Sequence, residues 1–147
     1  MSQIHHFKGF SIVEGGIDIT VNLDRLSRQF NEAQYWLDGQ VMEDMVPYMP
    51  IVTGSLIQRT RARSASMQGT GKVCAGAGPY GRFQYMGKVM IDPVTGSPFA
   101  RPGAKKVVTD RDLKYGNPRA TAKWFDTAKQ YHGDNWVKGV KKRAGGG

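Results

Sequence analysis

Residues 76 to 81, Gly76-Ala77-Gly78-Pro79-Tyr80-Gly81, have the Gly-x-Gly-x-x-Gly spacing with which backbone amides at a helix start receive a pyrophosphate. The spacing follows a predicted strand, but the working fingerprint needs its last glycine to open a helix. Here Arg82-Phe83-Gln84-Tyr85 reads as continued strand, so nucleotide binding is not expected. Gly69-Thr70-Gly71-Lys72 has part of a phosphate loop, with Val73 in the place of the required Ser or Thr and the first glycine missing. Metal binding needs several ligands converging, whereas His5 and His6 lie near the N-terminus and His132 and Cys74 are isolated. Ser55, in Thr-Gly-Ser-Leu, is neither a nucleophile elbow nor near a recognisable base, and its expected role is in a helix start. No catalytic residue, cofactor or metal is therefore expected.

The best local binding pattern is basic. Residues 59 to 66 alternate, and as a strand they project Arg59, Arg61 and Arg63 in parallel from one face toward phosphates or carboxylates, with Thr60, Ala62 and Ser64 on the other. The same pattern also fits a solvated face on which arginine protects against edge aggregation. Contact with nucleic acid through it would be nonspecific and salt-sensitive, since nothing has the pattern of a reading helix or an RNA-stacking motif. Phe83, Tyr85, Trp124, Phe125 and Trp136 read as core or subunit-interface aromatics.

The elements that must position these residues follow from periodicity. Ile17, Ile19 and Val21 alternate through a first strand over 17–22. From Leu23 the period lengthens: Leu26, Phe30, Ala33, Leu37, Val41 and Met45 predict a long helix to about Val46, ended by Pro47. Residues 46–56 read as a hinge, with Thr53 capping a short helical turn. Strands are predicted over 59–66, 72–77, 80–91 and 105–115, the first two joined as a hairpin by a turn at 68–71. Residues 92–104 hold three prolines and two glycines and are predicted to form a long irregular loop. Asn117-Pro118 reads as a helix start, with Ala120, Trp124, Phe125, Ala128 and Tyr131 as its apolar face. Gly133 interrupts it, and Asp134 caps a second short turn before Lys141-Lys142-Arg143. The expected fold is α+β: a mainly antiparallel sheet of about four to five strands packed with a long N-terminal helix and a C-terminal helix.

The chain has 147 residues, the size of one domain, with an N-terminal arm over 1–16 and a flexible tail over 144–147. A mean hydropathy of −0.47 fits a soluble, loop-rich chain. No stretch approaches the apolar length of a membrane span or a signal peptide, and a lone cysteine fits cytosolic synthesis. The net charge is +9 but unevenly spread: residues 1–50 carry −4 and the rest +13. Such a protomer suits an acidic partner or repeated contacts between unlike surfaces, although an ordinary uneven surface also fits.

Four stretches in order resemble the minor capsid, or tail completion, proteins that join head to tail in long-tailed bacteriophages. They are Pro47-Tyr48-Met49-Pro50-Ile51-Val52-Thr53-Gly54-Ser55-Leu56 after a long helix, and Gly78-Pro79-Tyr80-Gly81-Arg82-Phe83-Gln84-Tyr85-Met86-Gly87-Lys88. The others are Thr95-Gly96-Ser97-Pro98-Phe99-Ala100, and Asn117-Pro118 leading to Trp124-Phe125, Ala128-Lys129 and Trp136. Gly81 stands where the family usually has alanine. The resemblance covers about residues 23 to 143 and implies a non-enzymatic virion protein, synthesised in the bacterial cytoplasm. It further implies a homo-oligomeric ring, expected to be sixfold, at the neck between a head-side connector and a tail terminator or tail tube. Assembly or DNA-facing roles are then expected of Arg59, Arg61, Arg63, Arg82, Lys88, Phe99, Arg101, Lys105 and Lys106, with the 92–104 loop ordering against a neighbour. The competing expectation is a nonspecific, basic DNA-binding accessory protein that contacts packaged double-stranded DNA.

Overall fold

The computed structural model describes residues 10–21, 23–51, 54–78 and 81–145. The expectations placed on His5, His6, Asn22, Thr53, Pro79, Tyr80 and the last two glycines lie outside the described residues. In chain order the elements are β1 (Phe10–Glu14), β2 (Ile17–Val21), α1 (Asp24–Met45), α2 (Ser55–Ser66), α3 (Gly81–Met86), β3 (Lys88–Ile91), β4 (Val107–Asp112) and α4 (Trp124–Arg143). A 3-10 turn, Val46–Tyr48, follows α1 where Pro47 ends it.

Helices and strands coexist as expected of an α+β chain, but the sheet of four to five strands is not formed. The strands make two separate two-stranded antiparallel ribbons, β1–β2 and β3–β4, and there are four α-helices among the described residues rather than two. The first ribbon includes residues expected to be an N-terminal arm. Gly15 and Gly16 both have positive φ, the geometry of a two-residue hairpin turn, and they pair Phe10 with Val21, Ile12 with Ile19 and Glu14 with Ile17.

The largest correction falls on residues 59–66, which are helix α2 and not a strand. The buried positions of α2, Ile57, Thr60 and Ser64, recur at helical steps, but two of the three are hydroxyl residues that a search for apolar periodicity passes over. Those hydroxyls organise the following segment. Ser64 Oγ accepts from Cys74 N at 3.0 Å and donates to Cys74 O at 3.1 Å, and Thr60 Oγ1 accepts from Ala77 N at 3.0 Å. Residues 72–77 thus form no strand, because side chains take up backbone groups that a ladder would have used. The predicted strand over 80–91 divides in the same way into α3 and the short β3, while 105–115 contains β4.

The core lies between α1 and α4, which pack along each other. Val41, Met42 and Met45 of α1 meet Trp124, Ala128 and Trp136 of α4, together with Tyr48, Met49 and Ile57. Trp124 is wholly buried, donates from Nε1 to Ala75 O at 2.7 Å and meets Tyr85 edge-on. Trp136 Nε1 donates to Asp44 Oδ2 at 2.6 Å, so both buried indoles have a polar partner. At Gly139 α4 lies directly against the Trp36 ring of α1, which a Cβ at that position would run into.

α4 begins at Trp124, not at Asn117, and Gly133 does not interrupt it. Asn117 is a latch instead: its Oδ1 accepts from Ile51 N at 3.0 Å and its Nδ2 donates to Met49 O at 2.9 Å. Asp38, buried on α1, likewise ties down the 68–71 turn. Its Oδ2 accepts from the amides of Gly69 and Gly71 at 2.8 and 2.9 Å, and Gln34 Nε2 holds Oδ1 at 2.9 Å.

Candidate assembly groove

Away from the helical core, α3 and the β3–β4 ribbon carry a surface groove of about 640 Å³. Its floor is apolar: Phe83 and Met86 of α3, Met90 of β3 and Val108 of β4 line it, Met90 and Val108 being paired across the ribbon. Met86 is 53% and Val108 65% exposed, so these side chains form an open surface and not a second core. The rim is cationic, with Arg82 on α3, Lys88 on β3, and Lys105 and Lys106 where the chain enters β4. Lys88 Nζ is paired with Asp112 Oδ1 across the end of the ribbon.

Beside the groove, the irregular loop is built around Asp92, whose side chain is closed to solvent by the loop's own backbone. Asp92 Oδ1 accepts from Val94 N at 2.9 Å, and Oδ2 accepts from Arg101 N at 3.0 Å and Arg101 Nε at 2.8 Å. Backbone bonds from Asp92 N to Ser97 O and from Gly96 N to Asp92 O close the turn. The Arg101 guanidinium, then the amides of Arg101 and Val94, hold the Asp92 carboxyl well below the usual carboxylate range. The loop was expected to order against a neighbour; its ends are tied within one chain, and it presents Phe99 at 84% and Val94 at 73% exposure. At the other end of the ribbon, burial and then the nearby Asp112 carboxylate raise the pKa of Tyr115, whose hydroxyl donates to Gln84 O at 2.6 Å.

Of the residues expected to form an interface, the structure brings Arg82, Lys88, Lys105 and Lys106 to one groove, with Phe99 and Arg101 on the adjoining loop. It does not bring Arg59, Arg61 and Arg63 into line. On a helix Arg59 and Arg63 lie one turn apart on a shared side, while Arg61 points elsewhere and is held in a two-point ion pair by Glu43, its Nη2 to Oε2 distance being 2.9 Å. The apolar floor and the role of Asp92 escaped the sequence reading. The one signal for the second was an Asp opening a Pro/Gly-rich turn, Asp92-Pro93-Val94-Thr95-Gly96.

The two glycine motifs have structural explanations. Arg82 to Tyr85 are helical, which corrects the reason first given against a dinucleotide site, but residues 72–77 are not a strand and α3 has only six residues. Gly76 and Gly81 bring two backbone segments together: a Cβ on Gly81 would lie 2.6 Å from the Gly76 carbonyl. The amides of Gly69 and Gly71 face the Asp38 carboxylate, where a phosphate loop would hold its ligand. Among the described residues no three His, Cys, Asp or Glu side chains gather to hold a metal ion, and no helix is long and apolar enough to cross a membrane.

No family model, no curated protein and no solved structure matches the chain.

Proposed function

We propose that this chain is a structural virion protein of a tailed phage that assembles at the neck, joining the head-side connector to the tail as one subunit of a ring. The observation that carries this reading is the β3–β4 arm, which holds an open apolar groove with a cationic rim outside the helical core. An exposed apolar surface of this kind suits a protein partner, and the four ordered sequence stretches supply the kind of assembly. Contact with packaged DNA is the second reading, favoured by the exposed Arg59 and Arg63 on α2 and by the groove's rim.

Electron microscopy of particles from a phage genome with an early stop codon in this gene tests the proposal. Filled heads beside separate tails are expected. Intact, infectious virions would overturn the joining role and leave salt-sensitive DNA binding as the leading reading.

A further inference from the structure

The α3/β3–β4 groove is selective in what it can hold. Four of its lining residues are Lys or Arg and the others are apolar, with no carboxylate among them. On each strand a cation stands two residues from a floor residue: Lys88 from Met90 on β3, and Lys106 from Val108 at the entry to β4. Residues two apart on an extended chain face the same way about 7 Å apart, so charge and apolar floor follow each other along the ribbon at a fixed step. One wall, Ala100 and Ala104, belongs to the loop that Asp92 organises. Ala100 precedes the Arg101 that Asp92 holds through N and Nε, and Ala104 N donates to Arg101 O at 3.0 Å. That wall is therefore in place before any ligand arrives.

We infer that the groove takes an extended segment of a different protein, in which a carboxylate lies two residues to either side of an apolar side chain. The apolar group rests on Met90 and Val108, and the carboxylates meet the cationic rim. This rests on the reading of the chain as a joining protein and names the chemistry of what it joins. Arg82 and Lys105 are exposed, and Lys88 is paired with Asp112 at an exposed site, where exchanging one carboxylate for another costs little. The apolar floor rewards burial that a phosphate backbone cannot supply, which favours a peptide over DNA. A second copy of this chain does not supply the segment, because its only acids four residues apart, Glu14 and Asp18, have Gly16 between them. Met86 and Met90 adapt to the shape of the apolar group they receive.

Fluorescence anisotropy of the full chain with the labelled peptide Glu-Ser-Leu-Ser-Glu-Ser-Leu-Ser-Glu tests this. Binding is expected, and is expected to weaken as salt rises. It should fall at least about tenfold when Ser replaces Leu in the peptide, and again when the same residues are reordered with the acids grouped at one end. Arg82→Glu with Lys105→Glu, checked for unchanged circular dichroism and melting, is expected to lose at least about tenfold in affinity. Asp92→Asn leaves floor and rim intact but releases the wall, for an expected loss of about three- to tenfold. No binding at about 1 mM peptide, a control peptide that binds as well as the first, or a charge variant that binds like the wild type would each overturn the inference. Wild-type affinity in Asp92→Asn would overturn the part given to the wall. A mixed-sequence DNA duplex that binds more tightly than the peptide, and is lost in the same charge variant, would overturn the inference and assign the groove to DNA. Self-association of the chain that the peptide competes away would overturn it in favour of a second copy.

Failure here is separable from failure of the neck reading. An unbound peptide, together with heads and tails left apart by the stop codon, would retire this ligand and keep the neck role. Selective peptide binding together with intact stop-codon virions would do the reverse.

Discussion

Asp92 shows how one side chain turns an irregular segment into a defined surface. Its carboxylate collects three backbone amides and the Arg101 guanidinium, and the depressed pKa gives that arrangement a pH signature. A group whose folded pKa lies below its unfolded value of about 3.9 contributes stability that is present above that value and lost as pH falls through the folded one. The protection of the Val94 and Arg101 amides, measured by NMR as exchange relative to the intrinsic rate at each pH, is therefore expected to be high at neutral pH and to fall progressively below about pH 4. Asp92→Asn is expected to give fast exchange already at pH 7, with the α1–α4 core unchanged. Slow exchange in that variant would show that the loop does not depend on the carboxylate. The loop's irregularity was legible from its prolines and glycines, but its tether was not, because the pair that closes it, Asp92 and Arg101, follows no helix or strand period.

At the scale of elements, the chain revealed what hydropathy encodes and concealed what hydrogen bonds encode. α1 was legible because Ala33, Leu37, Val41 and Met45 repeat at helical steps, and β2 because Ile17, Ile19 and Val21 alternate. α2 was not, since its arginines alternate like a strand while its buried face is largely hydroxyl. Asn117 followed by proline has the pattern of a helix start, but its amide is spent across the fold on Met49 and Ile51. The α1–α4 contact yields two measurable expectations. Gly139→Ala forces a methyl group into Trp36 and is expected to cost about 1–3 kcal/mol in urea unfolding. Trp136→Phe keeps the stacking position against Phe125 but removes the bond to Asp44, for an expected loss of about 1 kcal/mol. An unchanged unfolding midpoint for Gly139→Ala would mean that the helices can part there without cost.

For the whole molecule, the helical core is distinct from the β3–β4 ribbon, and on the proposed ring reading the first carries stability and the second recognition. Trp124→Ala is expected to cost about 3–5 kcal/mol and to abolish assembly by loss of fold. Met90→Glu, in the groove floor, is expected to leave the melting temperature within a few degrees of the wild type while abolishing assembly, a contrast that differential scanning calorimetry with ultracentrifugation would register. Equal loss of fold in both variants would mean that the ribbon is part of the core. The division itself was only half legible. The uneven charge of residues 1–50 against the rest was legible but fits an ordinary surface as well, whereas the apolar floor of the groove depends on Met90 and Val108 meeting across a register that no local pattern specifies.

The pairing of Asp38 with the glycine amides has a consequence for chemical rescue. Asp38→Ala would leave the Gly69 and Gly71 N–H groups aimed at a space shaped for a carboxylate, at a cost of about 1–3 kcal/mol for the buried Gly69 donor, Gly71 being open to water. Formate carries the same two oxygens on a single carbon. The truncated protein should therefore melt at a temperature that climbs with formate concentration, while the wild type, already holding its own anion, should not respond.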